Sequence, residues 1–538
     1  MKVDRYLESG VQAPTPAPGW SIASLMPASR LYGANGMRFG ADGRIYVAQA
    51  FGSQISALDP DSGELATVSP VGGSIVAPDD LDFDSRGVLY ATEVFSERVS
   101  ARMPNGEVRV VADHLPVANG IVVHRDRIFV DEFRVGGRVL ELYPDGRTPR
   151  VIAENLELPN ALAVGPDDWL YFPLVMAGAV WRVPVAGGTP ECVVDGLNVP
   201  TAVKFSPDGS LYAVQAGSGE VSRIDVQART RTTVARVTPG LDNLAFSGDG
   251  RLFVSHYTDG SILEIGGNGS TRFLVEQGLL GPFGICTGSD GTLYIADGMS
   301  YAVRSPDGSV ARPANLLQHG FPGYVRGVAV GGDGTLYFTN SAGGVARFVP
   351  GEEAHYLATD LDLAMGLVTL GDGGVAVCEA GAGRVLALKP NGACTVLASG
   401  LDRPCGIARA ADGTLYVSEA GAGRVVRLDQ GSAASVLSGL REPQGIAVCG
   451  SMLYVLDREG RTLHRVSLEA KTAELVATGL PVGAAPGIVP KPLPGIAGVM
   501  PGPLLPFAGL AATPAGDVLV AADGDGSILC LREGSRRE

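Results

Sequence analysis

The sequence predicts an all-β chain folded as two tandem six-bladed β-propellers, with twelve four-stranded blades in total. Three observations carry this expectation. One repeat recurs along the whole chain, its period is that of a propeller blade, and an aromatic residue stands at a fixed place in nearly every copy.

The repeat is clearest at 403–440, RPCGIARAADGTLYVSEAGAGRVVRLDQGSAASVLSGL. It reads as a small apolar strand, an Asp-Gly turn, a strand opening Leu-Tyr-Val, a Gly-rich turn and two further strands. Alternating apolar residues around such turns are the signature of antiparallel hairpins. Indexed by the residue that opens the first strand, the copies start at Asn35, Asp79, Asn119, Asn160, Thr201, Asp242, Phe283, Arg326, Met365, Cys405, Gln444 and Ala508. Successive starts lie 39 to 44 residues apart, except for the last interval. Ten or eleven residues after each start comes Tyr46, Tyr90, Phe129, Tyr171, Tyr212, Phe253, Tyr294, Tyr337, Tyr416 or Tyr454, with Ala376 and Leu519 as exceptions. These rings are expected to pack between neighbouring blades.

Propellers close with four to eight blades, so twelve copies divide naturally into six and six. The last copy stops after SILCLRE, and WSIASLMP precedes the first copy as an orphan strand. The expected organisation is a tail at 1–19, a first propeller at 20–268 closed by the strand at 20–27, and a second at 269–538 closed by the strand at 271–279. Each ring would then hide its own edges. The Pro- and Gly-rich stretch 480–506 cannot be a regular helix or central strand. It is expected as a long ordered loop on the second ring, or else as a lid or a patch for a protein partner.

Composition narrows the function. Hydrophobic residues make up 45% and charged residues 18% of the 538, with a formal net charge of −15. Such an acidic surface disfavours nucleic acid and anionic membrane as partners, leaving a small-molecule substrate. Seven cysteines without C-x-x-C spacing indicate neither a zinc site nor a disulfide framework. With no apolar run long enough to span a bilayer and no secretory pattern at the start, a cytoplasmic location is expected.

In a propeller the first strand of each blade is innermost, so the twelve starts form two rings about two channels. The first ring is wholly polar: Asn35, Asp79, Asn119, Asn160, Thr201 and Asp242. Hard cations bind such oxygen clusters, so Asn35, Asp79, Asn119, Asn160 and Asp242 are candidate ligands for a divalent cation, Ca²⁺ above all. Asp80 and Asn243 follow directly and could add contacts. The second strand returns to the same face and brings Glu93, Glu132 and His256 there as candidate proton carriers, beside Asp79 and Asp242 as candidate bases. The second ring, Phe283, Arg326, Met365, Cys405, Gln444 and Ala508, offers no hard-metal cage. Glu379 and Glu419 sit in matching EAGAGRV turns and are expected to make a repeated structural hydrogen bond.

VANGIVVHRDRIFVDEF and LPNALAVGPDDWLYF resemble strands of the SMP-30/gluconolactonase family of six-bladed propellers. That resemblance implies a channel cation, commonly calcium, held here by Asn119 before Gly120, by Asn160, and by position by Asn35 and Asp79. The family's ligating Glu has no counterpart at any of the twelve starts. The second half, with PCGIARAADGTLYVSE and PQGIAVCGSMLYVLD, is more similar to NHL-type repeats and streptogramin-lyase-type propellers. Together these imply an SMP-30/gluconolactonase-like metal-dependent hydrolase (a lactonase) of a small lactone or ester in the first channel. The alternatives are a lyase or cyclase using that channel, or a non-enzymatic double-propeller binding scaffold.

Overall fold

Short runs rich in Val, Ile and Leu, separated by Gly-containing turns, give each repeat four antiparallel strands and no room for a helix longer than one turn. The computed structural model describes Arg5 and residues 12–429 and 432–534. Twelve blade sheets result; in ten the strands follow chain order from the axis outwards, and in the last two an N-terminal strand takes the outer edge. The inner strands of blades 1 to 6 are Met37–Phe39, Pro78–Phe83, Ala118–His124, Ala163–Val164, Pro200–Phe205 and Leu241–Phe246. Those of blades 7 to 12 are Pro282–Thr287, Val325–Val330, Ala364–Thr369, Pro404–Arg409, Pro443–Cys449 and Leu510–Ala512.

Both circles close at six. In the first, Ser255 Oγ of blade 6 donates to Asn35 O of blade 1 at 2.7 Å, and Phe253 packs on Phe39 with ring centroids 5.6 Å apart. In the second, Thr287 Oγ1 of blade 7 donates to Ala512 O of blade 12 at 2.7 Å. The repeated aromatics do sit between blades. Tyr46 meets Phe83, Tyr171 meets Phe205 and Tyr212 meets Phe246, all edge-to-face at 4.9 to 5.1 Å, the geometry that aromatic quadrupoles favour.

The closing strands differ from expectation. Trp20–Met26 pairs with Ser527–Glu533 and completes blade 12, not blade 6. Thr271–Val275 pairs with Ile262–Ile265 and completes blade 6, not blade 12. The reason is local. The turn at 266–270 is tight, with Gly266 N–H on Ser270 O at 2.8 Å and Gly269 N–H on Gly266 O at 2.8 Å. A hairpin so short forms at little entropic cost, before any distant strand can compete. The free edge at Ser527–Glu533 is then left for the N-terminal strand. Thr15–Pro16 also adds to the outer edge of blade 11. The first ring is therefore inserted into the second, whose chain begins it, leaves it and returns.

Arg5 ties this crossing. Its buried guanidinium donates to Leu31 O at 2.9 Å, Leu280 O at 2.8 Å and Gly524 O at 3.3 Å, and stacks 3.8 Å from the Tyr32 ring centre. The rings meet through an aromatic cluster in which Tyr324 of the second packs edge-on against Phe51 of the first at 5.4 Å. Among the described residues, no helix is long and apolar enough to cross a membrane.

Candidate functional site

Why one ring has a chemical channel and the other does not is decided by the residue after each start. In the second ring it is always glycine: Gly284, Gly327, Gly366, Gly406, Gly445 and Gly509. A Cβ at these positions would lie 2.0 to 2.7 Å from a carbonyl oxygen of the next blade, as at Gly406 against Gln444 O. Glycine thus lets six inner strands close on the axis, leaving only a narrow space capped by Phe507. The insertion seals it further. Arg326, fully buried, donates to Pro503 O, to Leu505 O at 3.2 Å and to Ala364 O at 3.3 Å. Burial also pushes the Cys405 thiol up to about 12, which removes it as a nucleophile at neutral pH.

In the first ring the same position holds Gly36, Asp80, Gly120, Ala161, Ala202 and Asn243. The inner strands stand further apart in chemistry, and side chains line the axis. Asp79 and Asp242 are half-buried, while Asp80 and Asp131 are buried. One turn deeper come Arg38, Asp82 and Lys204, each three residues after its blade's start. Arg38 Nε lies 3.2 Å from Asp82 Oδ1. Lys204 Nζ lies 3.9 Å from Asp80 Oδ2 and 3.4 Å from Leu162 O, to which it donates. Asp80 also accepts Leu81 N–H at 2.9 Å and Ile121 N–H at 3.3 Å.

Five carboxyl groups therefore face two cations, and both cations are engaged by Asp80 and Asp82. Among the described residues, Asp79, Asp131 and Asp242 form no ion pair of their own. Burial and the Asp80 charge push Asp79 up to about 7. Burial, with Asp79 and Asp80, holds Asp242 well above the carboxylate range. Burial does the same to Asp131 against the Gly120 N–H bond that opposes it. Two buried oxygens here, Asn119 Oδ1 and Asp131 Oδ2, have no hydrogen-bond partner among the described residues. Buried acceptors are rarely left so, and each calls for an explanation such as an ion or a water.

Not every predicted ligand is available. Asn35 Oδ1 accepts Ala50 N–H at 3.1 Å and its amide bonds Asp242, so its orientation is fixed by the fold. Asn160 is buried on the ring, and Thr201 Oγ1 donates to Leu241 O at 3.1 Å. Among the described residues, no three His, Cys, Asp or Glu side chains are grouped so as to hold a metal ion. Any cation here would thus need the carboxamides as well.

The predicted proton carriers are spent on the fold. Glu93 accepts Val76 N–H and Arg98 at 2.7 Å each, and also Ser100 Oγ. Glu132 is held by Arg134 at 3.0 Å and Arg138 at 2.8 Å. His256 Nε2 bonds Pro239 O at 2.7 Å, while Nδ1 lies 3.1 Å from Asp259 Oδ1. Against the desolvation of burial, His256 brings Asp259 down to about 2. The same place in other blades shows why: Gln49, Gln215, Asp297, Glu379, Glu419 and Asp457 each accept a backbone N–H from the loop 15 to 17 residues earlier. The position is a latch between the second strand and the loop entering the blade. This includes the expected bonds of Glu379 and Glu419. Sequence reasoning missed Lys204 and Arg38, although charged residues three after the start occur in the first ring and never in the second.

A family model described as the virginiamycin B lyase family matches residues 189–455. The match begins beside the outer strand of blade 4 and ends in the second strand of blade 11, so it follows the repeat across both rings. It agrees with the streptogramin-lyase likeness of the second half and does not single out the SMP-30/gluconolactonase family. Similar solved structures include a streptogramin B lyase, 18% identical over 52% of this chain and 95% of that one, with a TM-score of 0.39. A virginiamycin B lyase from Staphylococcus aureus is 17% identical over 52% and 96%, with a TM-score of 0.38. A chain of a nidogen/laminin complex is 21% identical over 41% and 85%, with a TM-score of 0.36. No curated protein matches the chain.

Proposed function

We propose that the first channel holds a hard divalent cation, Ca²⁺ by preference, and that the chain is a cation-assisted enzyme opening a small ester or lactone. The observation that carries this reading is the surplus of buried oxygen acceptors. Among the described residues, Asp79, Asp131 and Asp242 lack cationic partners, and Asn119 Oδ1 and Asp131 Oδ2 lack hydrogen bonds. Oxygen-rich sites of this kind suit Ca²⁺ or Mg²⁺ and not softer metals. Two of these carboxylates, Asp79 and Asp242, together with the carboxamide oxygen of Asn119, would hold the ion. Bound there, it would polarise a carbonyl oxygen and stabilise negative charge. Asp79 or Asp242, both half-buried, would take the proton. Lys204 neutralises Asp80 beneath them and keeps the floor of the channel from repelling an anionic product.

The similarity to a lyase family favours elimination over addition of water. Product mass separates the two, because hydrolysis adds one water and elimination adds none. The test is metal content after chelator-free purification, followed by calorimetric titration with Ca²⁺ and Mg²⁺. Stoichiometric binding lost in Asp79→Asn and Asp242→Asn supports the reading. A metal-free protein that binds neither ion overturns it.

A further inference from the structure

A second site lies outside the channel. Between the rings, at blade 1, is a cavity of about 930 Å³, within the size range of small-molecule pockets. Tyr32, Phe51 and Leu65 of the first ring form one wall, and Leu280, Phe283 and Tyr324 of the second form the other. The insertion supplies the roof through Ala485, Ile488, Leu493, Leu504 and Leu505.

Four charged residues border this space, and three already have partners. Arg5 is saturated by backbone carbonyls and the Tyr32 ring. Arg458 lies 2.9 Å from Asp523 Oδ2 and 3.6 Å from Glu442. Asp523 Oδ1 accepts Gly483 N–H at 2.8 Å. The fourth, Lys491, is exposed at the rim. Inside the walls an ionised ligand would lose its hydration and find every bordering charge but that of Lys491, out at the rim, already partnered, whereas an apolar one would lose nothing.

The roof is built to move. It is pinned at one end by the Gly483–Asp523 bond and at the other by Leu504 N–H on Leu493 O at 2.8 Å. Between these pins, among the described residues, arc 484–492 has a single backbone bond, Ile488 N–H to Ala485 O at 3.0 Å, internal to the arc. Among the described residues it forms no backbone hydrogen bond to the first ring. A Cβ on Gly72 would stand 3.1 Å from Val489 O. Few hydrogen bonds and little packing mark a segment of low local stability.

We propose that this cavity binds an uncharged, largely apolar small molecule, admitted when the arc 484–492 swings away from blade 1. The site is independent of the acidic channel and does not need its cation. The experiment is a fluorescence titration of the whole chain with Nile red, an uncharged dye that brightens in apolar surroundings. Saturable one-to-one binding is expected. Leu505→Glu and Ala66→Trp, both at exposed positions on the cavity rim, should weaken it by at least about tenfold with an unchanged melting temperature. Val396→Glu, an exposed apolar site on another blade, should leave it unaltered. Dodecanol should displace the dye at concentrations where dodecanoate does not. Absence of saturable binding, or equal binding in all three variants, overturns the site. Equal displacement by both competitors overturns the preference for an uncharged ligand.

Discussion

Lys204 and Asp80 face each other across the axis of the first ring, from blades 5 and 2, with Nζ 3.9 Å from Oδ2. The pair is the only bridge recorded between opposite blades of that channel among the described residues. It sets the charge beneath the candidate site, so its removal is informative. Lys204→Met leaves Asp80 buried and unpaired, and should cost about 3 kcal/mol in urea denaturation. Lys204→Met with Asp80→Asn should recover most of that loss, since the neutral pair strands no charge.

The pH response of the cation-free protein follows from Asp79. Its folded carboxyl is raised to about 7, whereas the unfolded one titrates near the ordinary value of about 4. The folded state holds the extra proton, so this group's stabilisation is full below about pH 4 and is lost as pH rises through about 7. In chelator, the melting temperature of Asp79→Asn should therefore exceed that of the parent at pH 8, and the two should converge near pH 4. Added Ca²⁺ should close the gap at pH 8 by raising the parent.

His256 should matter for stability and not for the channel. Asp259 is held down to about 2, so its contribution is full above about pH 4 and fades as pH falls towards 2. His256→Ala should cost about 3 kcal/mol at neutral pH, the usual penalty for stranding a buried charge. Calcium affinity, read by calorimetry, should not change. A large loss of affinity in a folded His256→Ala would return this residue to the site.

Cys530 offers a direct test of the closing strand, because Ala23 is its register partner. Directly opposed residues on adjacent strands lie within the Cα separation a disulfide requires. Oxidised Ala23→Cys should therefore form a cross-link to Cys530, visible as a shift in non-reducing electrophoresis and absent from Cys530→Ser. Had the N-terminal strand closed blade 6, no such bond could form.

The glycine ring predicts a contrast between the propellers. Gly406→Ala puts a methyl group 2.0 Å from Gln444 O, a backbone atom that cannot step aside. It should cost about 3 kcal/mol. Ala202, the residue at the same place in blade 5, already carries that methyl group, and Ala202→Gly should lose only about 1 kcal/mol.

These particulars also mark where sequence reading succeeds. The blades and the packing of Tyr46, Tyr171 and Tyr212 were legible because they depend on strand alternation and turn chemistry, which are local. The polar ring of Asp79, Asn119 and Asp242 was legible for the same reason. The fate of Glu93, Glu132 and His256 was harder to see, since each of these residues is consumed by bonds to its own blade. The regular offset of about 17 residues to an N–H donor was the available clue. Lys204 and Arg38 lay one register step beyond the starts and emerged only once the strands were placed about an axis. The closing strand was misjudged because two distant edges compete for it, and the deciding factor was the short turn at 266–270.

The nesting of one ring within the other orders events during synthesis. Every strand of the first ring has been synthesised once Val275 is made. Trp20–Met26, produced long before, must remain unpaired until Ser527–Glu533 has been made. For most of that interval the nascent chain carries a finished disc beside a waiting ribbon.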